Sequence, residues 1–361
     1  MSTRCVGWIY LVCFSLVSGF AQQNGPAGQT EPPASGSDHR QMTLDVVVTD
    51  KSGRPLPGLQ QQDFTLLDNQ QPQKILSFHA VEGTATADPP VEVILLVDEV
   101  NTTISKLAFE RNELEKFLRQ NHAELARPAS MVFLSDSGIM VGNTSTRDGN
   151  ALIADLEQKK LGLRIIGKSQ AFYGAVDRQH LSFRTLERLA DYEAAKPGRK
   201  LVIWISPGWP LLSGPEVGLA PSTRHGIFTS AVAISDRLRR ARITLYAVDP
   251  LGTEDEDRPQ TYLYEHFLKP VRKEGQAEFG DLALQVLAAQ SGGRVLNSNN
   301  DVAGEIAKCV ADANAFYVLS FDRLRGDGPN EYHALEIKID KPGLAARTRA
   351  GYYAQPDHEQ R

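Results

Sequence analysis

The chain has 361 residues, of which 41% are apolar and 23% charged, so it is long enough for one large and one smaller folded unit. Its formal net charge is only −5 and no long basic run occurs in the sequence. A nucleic-acid partner requires a basic surface, so this composition excludes that class of partner.

The amino-terminal 21 residues are typical of a secretory signal peptide. Arg4 precedes an apolar stretch from Val6 to Phe20, and Gly19 and Ala21 are small residues at the positions that a signal peptidase recognises. The stretch is short for a membrane span of about 20 residues, and no charged stop-transfer segment follows it. We expect cleavage after Ala21, export to the periplasm or extracellular space, and no stable membrane span. A retained anchor is the alternative.

Cysteine usage fits export without adding a disulfide framework. Cys5 and Cys13 leave with the signal peptide, so only Cys309 remains and an intramolecular disulfide is excluded. Cys309 lies in an apolar helical pattern, EIAKCVADA, which predicts a buried small side chain.

Four segments follow the signal peptide. Residues 22–40 are rich in Gly, Pro, Ser and Gln and predict a flexible tether. Residues 41–83 contain three short strand-like runs separated by turn residues, and residues 315–354 contain three more. Because three strands make a poor core, we expect the two segments to pack together as one small β-sandwich around an inserted domain.

The inserted domain spans residues 90–314. Five nearly continuous apolar runs alternate there with helical patterns: VEVILLVD, SMVFLSD, KLVIWIS, RITLYAVD and GRVLNSN. Such runs are typical of parallel strands covered by helices on both faces. The pattern predicts a doubly wound α/β domain with a mostly parallel sheet.

Several motifs, in this order, resemble the exported von Willebrand factor A-related proteins described from Acidobacteria. They are D-x-x-G-x-P-x-x-G-L-x-x-x-D-F from Asp50 to Phe64, then VILLVDEVNT, GRKLVIWIS, ITLYAVDPLG, SGGRVLNSNND, FYVLSFD and ARTRAGYY. The resemblance covers residues 43–354. It implies an A-type domain whose crevice, at the carboxyl ends of the strands, commonly holds a divalent cation in a metal ion-dependent adhesion site. It also implies a protein partner that completes the shell of that cation.

The metal-site pattern of the resembled family is only partly present. In its D-x-S-x-S segment, Asp98 and Thr102 match the first and last positions, whereas Val100 occupies the middle one. The later Thr falls on Gln170, and the Asp after the fourth strand falls on Pro207. Mg²⁺ requires near-octahedral oxygen ligands, usually including carboxylates, so we expect a degenerate site and no cofactor. The alternative is an intact cation-dependent adhesin.

In that alternative, a second carboxylate comes from another strand end. Asp136 and Asp249 follow two other predicted strands, and the carboxyl ends of parallel strands converge on one crevice. Asp residues also commonly begin turns, which needs no metal. Bound Mg²⁺ therefore stays an open possibility.

Long connections after the fourth and fifth strands predict a partner-binding surface over the crevice. The residues assigned to it are Asp98, Asn101, Thr102, Ser206, Trp209 and Tyr264. The alternative for the aromatic residues is that each loop packs them back on its own domain.

The sequence favours a binding protein over an enzyme. No G-x-S-x-G, H-E-x-x-H, Walker or G-x-G-x-x-G motif follows a predicted strand. A catalytic site assembled from distant residues leaves no such motif, so an envelope enzyme stays a third hypothesis. The favoured function is an exported protein-binding module with an unidentified protein partner.

Overall fold

The computed structural model describes residues 41–83, 90–142, 144–159, 171–250 and 263–355. The predicted signal peptide, the predicted tether and Gln170 lie outside these ranges. Within them, none of the helices combines the length and the apolar character needed to cross a membrane.

Strands and helices of the described residues are numbered in chain order. The strands are β1 Gln41–Thr49, β2 Phe64–Asp68, β3 Gln71–Gln73, β4 Ser77–Glu82, β5 Val91–Asp98, β6 Glu124–Ser135, β7 Gly138–Val141, β8 Thr146–Asp148, β9 Arg199–Ile205, β10 Ile243–Val248, β11 Val295–Leu296, β12 Ala315–Asp322, β13 Glu331–Ile339, β14 Ala345–Arg347 and β15 Gly351–Ala354. The helices are α1 Ile104–Leu118, α2 Gln120–Ala123, α3 Gly149–Gln158, α4 Ala171–Ala194, α5 Pro221–Arg240, α6 Leu284–Gln290 and α7 Val302–Ala311.

A largely parallel sheet forms the centre of the α/β region, in the order β11-β10-β9-β5-β6-β7. The first five of these strands pair in parallel, while β7 and β8 both pair with β6 in the antiparallel sense. From β5 the chain winds to β6 on one side and to β9, β10 and β11 on the other. The strand order therefore reverses beside β5, and a crevice is expected at its carboxyl end.

Helices cover both faces of this sheet. On one face, α1, α3 and α7 contribute Leu107, Leu152 and Ile306 to a core with alternate residues of β5 and β9. On the opposite face, α4, α5 and α6 contribute to a second core, which includes Leu189 and Ile234. Strands buried on both sides need apolar residues at every position, which explains the continuous runs in the sequence. The predicted mixed α/β fold with a largely parallel sheet is confirmed.

Two further sheets of four strands each combine segments from before and after the α/β region. Their orders are β14-β1-β12-β4 and β15-β13-β2-β3. Apolar side chains of both sheets, such as Leu44, Leu66 and Phe321, belong to one buried cluster. The chain leaves β4 and re-enters β12 at neighbouring positions, because Glu82 pairs with Ala315. The backbone N–H of Gly83 donates to the carbonyl of Asn314, at 2.8 Å.

One buried carboxylate connects the α/β region to strand β14. Asp312, directly after α7, is fully buried and accepts hydrogen bonds from the Tyr246 hydroxyl at 2.9 Å and from Arg294 at 3.3 Å. It also accepts one from Arg347 of β14, whose other Nη donates to the carbonyl of Gly292 at 2.8 Å. Three donors thus converge on one carboxylate between the two parts of the fold.

Cys309 lies on α7 and is buried, as the sequence predicts. Burial raises the pKa of its thiol well above the ordinary value, with the charge of Asp312 adding to the effect. The thiol is therefore protonated at neutral pH and is not a reactive nucleophile.

Candidate functional site

The crevice at the end of β5 is built around a short loop. Strand β5 ends at Asp98, and α1 begins at Ile104 after Thr103, whose hydroxyl accepts from the Lys106 N–H at 3.3 Å. Thr103 is thus the N-cap of α1, a position that favours such side chains. The loop between these two points carries Val100, which is buried and supplies no oxygen.

The carboxylate of Asp98 is fully buried and accepts four hydrogen bonds from the protein. Its Oδ1 accepts from the backbone N–H groups of Val100 at 2.9 Å and Asn101 at 3.0 Å. Its Oδ2 accepts from Asn101 Nδ2 at 2.8 Å and from Trp204 Nε1 at 2.9 Å. Both oxygens are therefore surrounded by N–H donors.

Trp204 reaches Asp98 from the adjacent strand β9. Parallel pairing sets Trp204 opposite Leu96, two residues before Asp98, so its indole lies along the same face toward the strand end. The indole is fully buried and packs edge-on against Trp209, with ring centroids 5.1 Å apart. Trp204 could not be recognised from the sequence, where it is one more apolar residue of KLVIWIS.

Asn101 connects the loop to helix α4. Its Nδ2 donates to Ser182 Oγ at 2.8 Å as well as to Asp98, and Ser182 is fully buried. One amide thus holds β5 and α4 together. The loop is fixed from both faces of the sheet, since α1 follows it on the other face.

Thr102 is hydrogen-bonded to a second buried carboxylate beside the loop. Its hydroxyl donates to Glu110 Oε1 at 2.8 Å, and both residues are buried. Burial raises the pKa of Glu110 well above its ordinary value, and the charges of Asp98 and Asp249 raise it further. Glu110 was also missed from the sequence, although its position is informative: it shares the buried stripe of α1 with Leu107 and Leu114.

The raised pKa of Glu110 predicts a pH-dependent stability. Above pH 4.5 and below the raised pKa, the folded state holds a proton that the unfolded state has released, so stability falls as pH rises through this window. Glu110→Gln cannot ionise, and we expect it to make this fall shallower. Urea unfolding between about pH 5 and 8 measures the effect. Glu115→Gln, partly exposed on the same helix, is the control; identical pH slopes for wild type and Glu110→Gln would contradict the expectation.

The remaining predicted oxygen donors, Ser206, Asp249 and Asp136, follow the strands β9, β10 and β6. Ser206 Oγ accepts from the Gly208 N–H at 3.1 Å, and the Pro207 carbonyl accepts from Gln285 Nε2 at 3.0 Å. Asp249, after β10, is buried and electrostatically coupled to Glu110. Asp136 follows β6 and is partly exposed.

The two aromatic residues assigned to a contact surface lie in the interior. Trp209 is 4% exposed and its Nε1 donates to the Leu282 carbonyl at 2.8 Å. Tyr264 is 7% exposed and belongs to a cluster with Phe267 and Val286. The long connections cover their own aromatic side chains, because these need both apolar contact and a partner for the polar atom. Neither side chain is available as a surface contact.

At Asp98, a cation would compete with N–H groups that already donate to both carboxylate oxygens. Thr102 is bonded to Glu110, and Val100 and Pro207 provide no side-chain oxygen. In the described part of the chain, no group of three or more His, Cys, Asp or Glu residues is arranged to hold a metal ion.

No protein-family model and no curated protein matches the chain. Among solved structures it is similar to an aerotolerance-related membrane protein from Bacteroides fragilis, with 13% identity and a TM-score of 0.35, over 62% of this chain and 98% of the other. The SpRpn10 VWA domain matches with 12% identity and a TM-score of 0.28, over 60% and 94% of the two chains. BatB from Bacteroides thetaiotaomicron matches with 14% identity and a TM-score of 0.27, over 62% and 97%. At such TM-scores these likenesses carry no functional conclusion. The strand order defines the chain as a largely parallel α/β protein.

Proposed function

We propose that the protein is an exported protein-binding module related to von Willebrand factor A domains, with a degenerate metal site at the end of β5. The proposal that this site works without a metal is supported by the hydrogen bonds of Asp98. Its two oxygens accept from four N–H donors of the protein itself. In this proposal, hydrogen bonds to Trp204 and Asn101 stabilise the loop where an A-type domain would use a cation. The partner is then recognised by surface complementarity instead of metal coordination.

The architecture proposed around this module is a small β-sandwich formed by the two four-stranded sheets. Their shared apolar cluster supports it, since faces that contribute to one core pack against each other. The α/β region would be presented by this sandwich as an insertion between β4 and β12.

The proposed contact surface uses exposed apolar residues at the helix starts beside the crevice. Ile104, at the start of α1, is 63% exposed, and Phe172 and Tyr173, at the start of α4, are 60% and 79% exposed. Large apolar side chains at such exposure are typical of protein contacts, in which aromatic residues are enriched.

The start of α4 projects beyond the crevice. Ser182 lies level with Asn101 through their hydrogen bond, and Phe172 precedes it by ten residues, about 15 Å along the helix. Helix α4 leads into the amino end of β9, so its own amino end is on the side of the sheet where Asp98 lies. Phe172 and Tyr173 therefore stand above the crevice edge, with their rings 6.2 Å apart.

Affinity capture from the native envelope fraction tests this proposal. We expect wild type to retain a partner equally with Mg²⁺ or with EDTA, and Phe172→Ala/Tyr173→Ala to lose it at unchanged thermal stability. Tyr192→Ala is the matched control, because this tyrosine is 52% exposed near the opposite end of the same helix. Undiminished capture by the double variant, or loss of capture in EDTA, would contradict the proposal.

A further inference from the structure

A second concave site lies away from the crevice, among the connections that follow β9 and β10. It is a cleft of about 410 Å³, lined by Pro215 and Glu216 on one side and by residues between 266 and 281 on the other. This volume is within the range of small-molecule sites, which begin at about 300 Å³. None of the residues around Asp98 lines it.

One wall of the cleft carries a buried carboxylate, one oxygen of which accepts no hydrogen bond from the described residues. Asp281 is 6% exposed, and its Oδ2 accepts from the Glu278 N–H at 2.7 Å. Its Oδ1 accepts no hydrogen bond from the described residues. Burial raises the pKa of Asp281 to about 7, although the hydrogen bond from Glu278 opposes the rise. A donor supplied by a ligand would satisfy this oxygen and favour the ionised form.

The position of Asp281 is fixed by tight packing. Gly280 lies against the ring of Phe267 so closely that a Cβ at Gly280 would be 2.2 Å from a ring carbon. Phe267 is itself buried and forms part of the lining together with buried Val271. The cleft therefore combines an anchored carboxylate with an apolar floor, as small-molecule sites usually do.

Cations face the same cleft. Lys269 and Arg272 line it, and neither forms an ion pair with a carboxylate of the described ranges. Arg272 lies over the ring of Tyr332, with its guanidinium carbon 5.9 Å from the ring centroid. A ligand carboxylate could be bound by these two groups, while Asp281 attracts a positive group.

We propose that this cleft binds a small zwitterion of about dipeptide size, its ammonium group on Asp281 and its carboxylate on Lys269 and Arg272. The free oxygen of Asp281 selects a donor, with Glu216 and Glu278 as further acidic residues of the lining, and the two cations select an acid. Apolar side chains of the ligand would contact Phe267 and Val271. This site and its ligand are independent of the proposed partner surface on α4.

Calorimetric titration of the full chain with three related probes tests the proposal. The probes are leucyl-leucine, its N-acetyl form, which lacks the ammonium group, and its carboxamide, which lacks the carboxylate. We expect leucyl-leucine to bind and each blocked form to bind at least about tenfold more weakly, because each leaves one charged group of the site unpaired. At about pH 6.5 binding of leucyl-leucine should release protons, since the ligand drives Asp281 to its ionised form.

Variants identify the two ends of the site. Asp281→Asn keeps an oxygen for the Glu278 N–H, so this variant should fold. It should bind leucyl-leucine at least about tenfold more weakly than wild type, and binding should release no protons. The double variant Lys269→Ala/Arg272→Ala should have a lower affinity for leucyl-leucine and an unchanged affinity for the carboxamide. The control is Lys338→Ala, at an exposed lysine of β13, which should not change the affinity for any probe. Absence of binding at millimolar leucyl-leucine, equal binding of all three probes, or unchanged binding by Asp281→Asn would each overturn the proposal.

Discussion

Replacing Asp312 by alanine is expected to lower the free energy of unfolding by about 3–5 kcal/mol. The carboxylate is fully buried, and its loss leaves Arg347 and Arg294, both mostly buried, without their counter-ion. The Tyr246 hydroxyl loses its acceptor at the same time. Urea unfolding followed by circular dichroism measures the change.

The control for this prediction is Asp322→Ala, at the exposed end of β12, which should change stability by less than about 0.5 kcal/mol. If Asp312→Ala costs as little as this control, then the three hydrogen bonds at Asp312 contribute no net stability. A large loss would instead identify the carboxylate as the main polar connection between α7 and β14.

Asp98→Ala is expected to destabilise the protein by about 3 kcal/mol, and Mg²⁺ should affect neither wild type nor variant. The reason is that the substitution leaves four N–H donors without an acceptor, and one of them belongs to the fully buried indole of Trp204. Thermal unfolding of both proteins with Mg²⁺ and with EDTA measures both parts of the prediction.

Trp204→Phe is the companion variant, since it keeps an aromatic ring but removes the N–H that Asp98 accepts and part of a fully buried side chain. We expect a loss of about 2–4 kcal/mol, because the cavity left by the smaller ring adds to the lost hydrogen bond. A rise in the melting temperature of wild type with Mg²⁺ that is absent in Asp98→Ala would show that Asp98 binds a cation. The bonding of Asp98 would then be a feature of the metal-free state only.

The sheet of the α/β region could be predicted because its strands are buried on both faces. Runs such as VEVILLVD have no polar alternation, and this is visible without any tertiary information. Strands β7 and β8 were not predicted, since each is only three or four residues long and lies at the sheet edge. Edge strands lack the continuous apolar signal that burial imposes.

The candidate site could be located from the sequence but not completed. Asp98 ends a strand with a clear pattern, so the position of the crevice followed from chain order. Trp204 depends on the register between β5 and β9, which no local pattern specifies. Glu110 lies between Leu107 and Leu114 on the buried face of α1, and this spacing in the sequence was a signal that the carboxylate is buried.

Trp209 and Tyr264 show where sequence reasoning about loops fails. Both occur in turn-rich segments, which left a contact surface and packing on their own domain as alternatives, and each packs on residues distant in the chain, such as Leu282 and Val286. The direction of an aromatic side chain in a long connection is decided by those distant partners. Only the tertiary structure distinguishes a surface aromatic residue from one that the loop covers.

The pairing of β4 with β12 has a consequence for the inserted region. The register of the two strands runs from Ser77 and Ser320 at one end to Glu82 and Ala315 at the other, so the α/β region begins and ends at paired residues. A change in the length of a loop inside the α/β region therefore does not require the ends of β4 and β12 to move apart.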